Sequence, residues 1–233
     1  PRLALDFTTA SLDSRITFTR SGNTATVTNS SGVIVAVNAN IPRFDYDPST
    51  LLCKGLLIEE QRTNLLLYSA DMSQAAWEKN GYGTGLAPVV TANAGTAPDG
   101  SNTASQVVFN TGVGTTSSDI SELKQNTALL TTGNPYAGSI WIKGAAGTIL
   151  FLRGPAGSGY KTIVCTGSWQ YMSTVENAFN SYNGIQITLR QGVIGTVNST
   201  ATVFLWGGQL EAGTFTTSYI PTTTATATRS ADI

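Results

Sequence analysis

Short runs that alternate apolar and polar residues follow one another along most of the chain, and turns rich in Gly, Asn and Thr separate them. Side chains along a β-strand point to opposite faces in turn, so this pattern predicts many short strands. We predict one helical turn, over 71–77, with Ser69 or Asp71 as its cap. Strands without intervening helices indicate an all-β sandwich or jelly roll. The predicted strands of the larger region are 65–68, 86–92, 103–109, 136–143, 147–152, 161–165, 169–175, 184–190 and 201–206.

Residues 1–50 carry a hairpin signal. The alternating runs 24–28 and 33–37 flank a Gly-containing turn, and this arrangement is typical of a β-hairpin. The proline-bounded segment 42–48 is predicted as a turn-rich connector, because proline cannot donate to a strand ladder. A region this small cannot hold a core alone, so we expect it to pack on a neighbour or on copies of itself.

A charged segment at 54–69, which we call the joint, follows this region. Leucine and isoleucine runs lie at its two ends, and Glu59, Glu60 and Arg62 lie between them. We predict that both ends are buried and that the charged side chains are paired. Beyond the larger region, the last residues alternate Thr and Ala and offer little to bury, which indicates a tail or an exit strand. The predicted organisation is an N-terminal hairpin region with the joint, a jelly-roll domain and a C-terminal tail, at 1–64, 65–220 and 221–233.

Composition removes several classes of function. The 233 residues include no histidine, 41% are hydrophobic, 12% are charged, and the formal net charge is −1. A chain without histidine cannot form a serine triad or a histidine-ligated zinc site. A near-neutral chain lacks the basic surface that binds nucleic acid or anionic membranes. No apolar run is long enough to span a bilayer, so membrane insertion is not expected.

The polar residues are mainly Thr, Ser, Asn and Gln, as expected of an extracellular or particle-bound β-protein. Cys53 and Cys165 are far apart, and the sequence leaves open whether they are bonded or free. Because Pro1 stands in place of Met, we expect the chain to be a segment of something longer.

Several spaced motifs together resemble a known family. They are the segments 42–48, 54–69, 97–100, 205–213 and 217–222, which read PRFDYDP, the joint, APDG, LWGGQLEAG and TSYIPT. The chain resembles virion proteins of tailed bacteriophages and prophages, namely the head-spike, head-fibre and tail-fibre proteins with a carbohydrate-binding-module-like jelly roll. The resemblance covers nearly the whole chain.

This resemblance implies a protein displayed on the surface of a phage or phage-derived particle, in contact with other virion proteins. It implies a homo-oligomer, with a trimer favoured, whose jelly roll contacts glycans of the bacterial surface. It supplies no catalytic residues and no cofactor.

Sugar recognition needs flat aromatic surfaces for the rings and amides or charges for the hydroxyls. In the strand 136–143 the alternation places Trp141 on the more polar face, and in 184–190 it places Gln186 and Arg190 facing outwards. If the two strands share a sheet, these three side chains and Lys143, which shares the face of Trp141, line one concave surface. The alternative is that Trp141 packs beneath a loop or against a neighbouring subunit.

Five other aromatic residues are candidates for the same surface. Trp169 and Tyr171 lie two apart and share a face, either as a tandem stacking platform or as core. Trp77 and Tyr82 form either a rim contact or a plug at one end of the sandwich. Tyr160 ends a Gly-rich loop that we expect to be mobile, which favours contact with a partner.

A glycosidase needs two carboxyl groups about 5–10 Å apart, so a polysaccharide depolymerase would have to present such a pair. Glu59 and Glu60 are adjacent, so on a strand they point to opposite faces. Asp119 and Glu122 are predicted to lie in a loop without an aromatic neighbour. We therefore expect no enzymatic activity, although a pair from distant parts of the chain is left open.

A structural calcium ion would need several oxygen ligands. Asp71, Asp99 and Glu211 are candidates only because they lie near turns or strand ends, and no Asp-x-Asp loop is present. The expected function is non-catalytic attachment to bacterial surface polysaccharide. The alternatives are a decoration or collar protein that joins other virion proteins, and a polysaccharide depolymerase.

Overall fold

The structure, a computed structural model, describes residues 5–22, 24–155, 159–179, 183–192 and 198–233. Within these ranges the chain forms sixteen strands and no helix. In chain order the strands are β1 (Ala25–Thr28), β2 (Ile34–Val37), β3 (Phe44–Tyr46), β4 (Cys53–Leu56), β5 (Arg62–Asn64), β6 (Glu78–Tyr82), β7 (Leu86–Gly95), β8 (Ala104–Asn110), β9 (Ile120–Asn126), β10 (Pro135–Gly144), β11 (Ile149–Arg153), β12 (Lys161–Val164), β13 (Gln170–Asn177), β14 (Gly184–Arg190), β15 (Thr200–Ala212) and β16 (Ala227–Arg229).

Two five-stranded antiparallel sheets face each other and form the sandwich. The first sheet has the order β13-β10-β15-β8-β7, and the second has the order β12-β11-β14-β9-β6. Consecutive strands repeatedly enter different sheets, as they do in jelly rolls. The predicted fold class, an all-β jelly-roll sandwich preceded by a small hairpin region, is confirmed.

The main core fills the space between the sheets. Ile140 and Leu205 of the first sheet and Leu123, Leu152 and Ile187 of the second are completely buried there. They occupy alternate positions along their strands, so the residues between them lie on the two outer faces. These outer faces are the surfaces on which functional residues must be sought.

The N-terminal region packs on the outer face of the first sheet. It contains the hairpin β1–β2 and the paired strands β3–β4. Ile34 of the hairpin joins a second, smaller apolar cluster with Ala97, Ala104 and Trp206. The hairpin prediction is confirmed, whereas the predicted connector at 42–48 contains a strand.

Buried ion pairs fasten the joint to the end of the chain. Glu59 pairs with Arg43 and with Arg229, at 2.8 and 3.1 Å, and Asp232 pairs with Arg43 and Arg20. These three arginine side chains are fully buried. The predicted pairing of the joint's charges is therefore observed, mostly with partners outside the joint.

The segment 221–233, predicted as a tail or an exit strand, is packed into the structure. Its strand β16 pairs with β5 of the joint. The Thr/Ala alternation gave no sign of this packing. Arg229 and Asp232 hold the segment in place, because the joint and the N-terminal region neutralise their charges in the interior.

Several local expectations were wrong. Residues 65–68 form no strand, and 71–77 form successive turns in place of a helical turn, although Asp71 accepts a hydrogen bond from the Ser73 N–H at 2.9 Å. Strands β6 and β9 were not predicted, because few of their residues are apolar.

The edge strand β7 is irregular. Its pairing with β8 shifts register twice, between Leu86 and Val89 and again between Thr91 and Gly95. Pro88 lies within it, and Asn93 adopts a left-handed backbone conformation with φ of 54°. The strand is therefore long but not straight.

Within the described ranges there is no helix with the length and hydropathy that a bilayer crossing requires. Cys53 and Cys165 are both free thiols.

Candidate functional site

The predicted site residues lie on two different sheets. Trp141 belongs to β10 of the first sheet, and Gln186 and Arg190 belong to β14 of the second. All three side chains point away from the core, so Trp141 lies on one side of the sandwich and the other two on the opposite side. They do not form one concave surface. Local alternation gave the direction of each side chain correctly but carried no information on which sheet each strand joins.

On the first sheet, aromatic residues gather beneath the N-terminal region. Trp141 is paired across strands with Tyr171 on one side and Trp206 on the other. The ring centroids of Trp141 and Tyr171 are 5.1 Å apart, and those of Trp206 and Tyr219 are 4.5 Å apart. Trp206 is buried, Trp141 is half-buried and Tyr171 is 40% exposed.

Trp169 and Trp77 have structural roles. Trp169 precedes β13, packs against the smaller apolar cluster, and donates its indole N–H to the Thr96 carbonyl at 3.1 Å. Trp77 is completely buried in the main core and donates to the Tyr68 carbonyl at 3.1 Å. The rim alternative for Trp77 was wrong, since it plugs the sandwich, whereas Tyr82 is 43% exposed.

The outer face of the second sheet carries charged and amide side chains across four strands. Cross-strand pairing places Arg153 opposite Gln186, Gln186 opposite Lys124, and Thr188 opposite Glu122. We call this surface the second-sheet face. It comprises Tyr82, Glu122, Lys124, Arg153, Tyr160, Gln186, Thr188 and Arg190.

The centre of the second-sheet face is deep. Gln186 is only 3% exposed and Thr188 is completely buried, which differs from the outward, exposed positions expected. The Gln186 Oε1 and Thr188 Oγ1 atoms have no hydrogen-bond partner among the described residues. Leaving a buried oxygen unpaired costs about 1–3 kcal/mol, so the centre of this face holds two neighbouring polar atoms whose burial no described residue compensates.

Tyr160 covers one end of this face. Its ring lies 4.7 Å from the Arg190 guanidinium carbon and 5.1 Å from that of Arg153, within the range of cation–π contacts. It also packs edge-on against Phe151 at 5.9 Å. The prediction of a mobile loop falls on 156–158, which lie outside the described residues, but Tyr160 itself is held against the sheet.

The other end carries a carboxylate between donors. Glu122 accepts from the Tyr82 hydroxyl at 3.3 Å and lies 3.5 Å from the Lys124 ammonium nitrogen. Desolvation and the charge of Glu122 raise the pKa of Tyr82. Desolvation lowers the pKa of Lys124, but Glu122, Tyr82 and Glu78 outweigh it and raise that pKa overall. At neutral pH both groups therefore keep their protons. The Tyr82 proton is donated to Glu122, whereas the Lys124 ammonium has three N–H groups and can also donate to sugar hydroxyls.

Glu122 was wrongly expected in a loop without aromatic neighbours, because β9 has a single inward-facing leucine and so a weak strand signal. Asp119 lies just before β9 and has a different role. Its carboxylate accepts from the backbone N–H and the hydroxyl of both Thr84 and Thr116. These bonds hold the pKa of Asp119 well below its usual range. Asp119 therefore links the loop that contains Thr84 to the loop that contains Thr116, and it stays ionised and does not donate a proton.

The three carboxylates that were candidate calcium ligands already accept hydrogen bonds from the protein. The carboxylates of Asp71, Asp99 and Glu211 accept hydrogen bonds from Ser73, Ser101 and Thr217. No group of three or more His, Cys, Asp or Glu side chains suited to a metal exists in the described parts of the chain.

The sequence matches no protein-family model and no curated protein. Among solved structures it is similar to the enzymatically active domain of tailspike protein 4 of bacteriophage CBA120, with 10% identity and a TM-score of 0.41 over 64% of this chain. This chain spans 21% of that tailspike chain.

Two carbohydrate-binding modules are similar to a comparable extent. TmCBM61 in complex with β-1,4-galactotriose shows 19% identity and a TM-score of 0.40, covering 64% of this chain and 99% of that one. A xylan-binding domain of family CBM22 shows 15% identity and a TM-score of 0.41, covering 66% and 97%. At such identities the likeness concerns the fold alone.

Proposed function

We propose that the second-sheet face binds bacterial surface polysaccharide without cleaving it. The observation that carries this proposal is a pair of buried oxygens, Gln186 Oε1 and Thr188 Oγ1, that have no hydrogen-bond partner among the described residues. They lie on a face that also presents the donors Lys124 and Arg190. A polysaccharide hydroxyl both donates and accepts, so it can satisfy the two acceptors and accept from the cations. Tyr82 and Tyr160 supply aromatic surface at the two ends.

Binding without catalysis agrees with the state of the carboxylates. Asp119 is kept ionised by four donors, and Glu122 is engaged by Tyr82 and Lys124. General acid catalysis of glycoside cleavage requires a carboxyl group with a raised pKa. Asp119, whose pKa is lowered, does not meet that requirement.

We further propose that the chain is a spike or fibre protein on the surface of a phage or phage-derived particle. The sequence motifs that resemble such proteins support this role. Residues 1–64 then mount the domain on other virion proteins or on copies of itself, as a homo-oligomer with a trimer favoured. Ile41, Leu51, Leu52 and Ile58 are exposed apolar side chains in this region and support a contact there. Many copies multiply weak individual affinities.

The test is binding of the purified, fluorescently labelled chain to candidate host cells, with and without their capsule or lipopolysaccharide. The informative variant is Gln186→Ala combined with Thr188→Val, which removes both unpaired acceptors and keeps the volume at position 188. We expect polysaccharide-dependent labelling and a loss of affinity of roughly tenfold in this variant, from two hydrogen bonds. Lys143→Ala, an exposed position on the first sheet, is the control.

Equal labelling of cells that lack the polysaccharide would contradict the proposal. So would unchanged binding by the double variant when its unfolding transition is normal. If the assembled oligomer labels no cells at all, the alternative of a decoration or collar protein takes its place. A fall in the viscosity of purified polysaccharide would indicate a depolymerase instead.

A further inference from the structure

A pocket of about 370 Å³ lies between the N-terminal region and the outer face of the first sheet. Val27, Ile34 and Leu57 supply apolar wall on one side, and Trp141 and Tyr171 supply aromatic wall on the other. The volume falls near the lower end of the roughly 300–1,000 Å³ typical of small-ligand pockets. Pockets of this size form preferentially where two structural units meet, as they do here.

The backbone positions Trp141 in this wall. The pairing of β10 with β15 shifts register between Ser139 and Trp141, opposite Gly207. Gly207 has φ of 68°, and a Cβ atom there would lie 3.1 Å from Trp141 Cδ1. The bulge therefore lets the indole lie directly against the neighbouring strand, which fixes one side of the pocket.

Trp141 also differs from the other tryptophans in its hydrogen bonding. The indole N–H groups of Trp77, Trp169 and Trp206 donate to Tyr68, Thr96 and Thr103. The indole N–H of Trp141 has no acceptor in the described chain. A tryptophan whose ring lines a pocket and whose donor is unused is suited to a ligand with both an apolar face and hydroxyl groups.

The charged groups around the pocket neutralise one another. Lys54 pairs with Asp45, and Glu59 is neutralised by Arg43 and Arg229. An ionic ligand would have to displace these partners. The Thr28 hydroxyl lines the pocket and forms no hydrogen bond with any residue that the structure describes, so it is available to a neutral polar ligand.

We propose that this pocket is a second sugar site, which binds one or two neutral pyranose rings. The ring face packs on Trp141 and Tyr171, while the ring hydroxyls accept from the Trp141 N–H and exchange hydrogen bonds with Thr28. The site is separate from the second-sheet face, because the two lie on opposite sides of the sandwich, and it does not depend on the function proposed for that face.

The test is ¹⁹F NMR of the full chain labelled with 5-fluorotryptophan, which gives one resonance for each of the four tryptophans. Trp141→Phe assigns the resonance of interest. Galactose, glucose, mannose and N-acetylglucosamine are titrated separately into the labelled protein. We expect at least one of them to shift the Trp141 resonance saturably and to leave those of the buried Trp77 and Trp206 unchanged.

Thr28→Val supplies a variant that retains the probe. It keeps the shape of the side chain and removes its hydroxyl, so Kd is expected to rise roughly threefold to tenfold. Lys143→Ala, on the same strand as Trp141, should leave Kd unchanged. The Gln186→Ala, Thr188→Val double variant should also leave it unchanged, which separates this site from the second-sheet face.

Three results would overturn the proposal. One is an unmoved Trp141 resonance with all four sugars up to their solubility limits. Another is a parallel drift of all four resonances, which indicates a solvent effect. The last is loss of the shift in the Gln186→Ala, Thr188→Val variant, which would assign the bound sugar to the second-sheet face.

Discussion

Arg20 and Asp232 lie 212 positions apart in the sequence and form a completely buried ion pair, with 3.0 Å between Nη1 and Oδ1. The same carboxylate also pairs with Arg43 and accepts the backbone N–H of Glu59 at 2.9 Å. One side chain near the end of the sequence thus holds the N-terminal region and the joint together.

Asp232→Ala is expected to destabilise the protein strongly. Removing one partner of a buried pair leaves uncompensated charge, here on Arg20 and Arg43, and costs about 3–5 kcal/mol. Urea unfolding followed by tryptophan fluorescence measures this loss. Asp13→Ala is the matched control, because Asp13 pairs with Arg15 at 2.6 Å on the surface, where solvent screens the pair and its contribution to stability is small. Similar losses in the two variants would contradict the structural role of Asp232.

Gly207→Ala is expected to disturb Trp141 as well as the backbone. A left-handed conformation costs a non-glycine residue about 1–2 kcal/mol, and the new methyl group would press on the indole. Gly147→Ala isolates the first effect, since Gly147 also has a positive φ, of 85°, but open space around it. We expect a larger loss of stability and a changed Trp141 ¹⁹F resonance only at position 207. Equal effects at both positions would show that the indole contact is unimportant.

The two thiols should react with Ellman's reagent at very different rates. Cys53 is half-buried, whereas Cys165 is buried, and its burial raises the pKa of the thiol and disfavours the reactive thiolate. One thiol is expected to react in the folded protein and the second only after unfolding in urea. Cys53→Ser should abolish the reaction of the folded state. Two rapidly reacting thiols, or none after unfolding, would be incompatible with this arrangement.

Asp119 should make stability sensitive to acid. Its pKa is lowered in the folded state by hydrogen bonds from Thr84 and Thr116. A lowered pKa stabilises the fold fully above the unfolded value of 3.8, and this stabilisation is lost as the pH falls towards the folded value. Asp119→Asn lacks a titrating group at this position. The unmodified protein should therefore be more stable than the variant by a constant amount above about pH 5, and this advantage should shrink below about pH 4. A difference that is independent of pH throughout would contradict this role.

Local alternation was sufficient to predict those strands whose inward residues are consistently apolar. The strand 184–190 coincides with β14 because Ile185, Ile187 and Leu189 face the core. β9 offers only Leu123 between Ser121 and Gln125, so the same rule failed there. The difference lies in how many apolar side chains each strand contributes to the core.

The site depended on information that alternation does not contain. Whether β10 and β14 share a sheet is decided by pairing between distant segments. The burial of Gln186 and Thr188 on an outward face likewise depends on what covers that face and not on their own strand. Glu59 forms ion pairs with Arg43 and Arg229, which both lie outside the joint. For the same reason, these two partners could not be inferred from the sequence of the joint alone.

The irregular edge strand β7 has a consequence for molecules crowded together. A straight, exposed strand offers its free N–H and C=O groups to another molecule, and sheets then extend from copy to copy into aggregates. Pro88 removes one such donor, and the two register shifts break the straight row that another strand would need. The irregular backbone of β7 therefore disfavours edge-to-edge pairing of copies along this side of the sandwich.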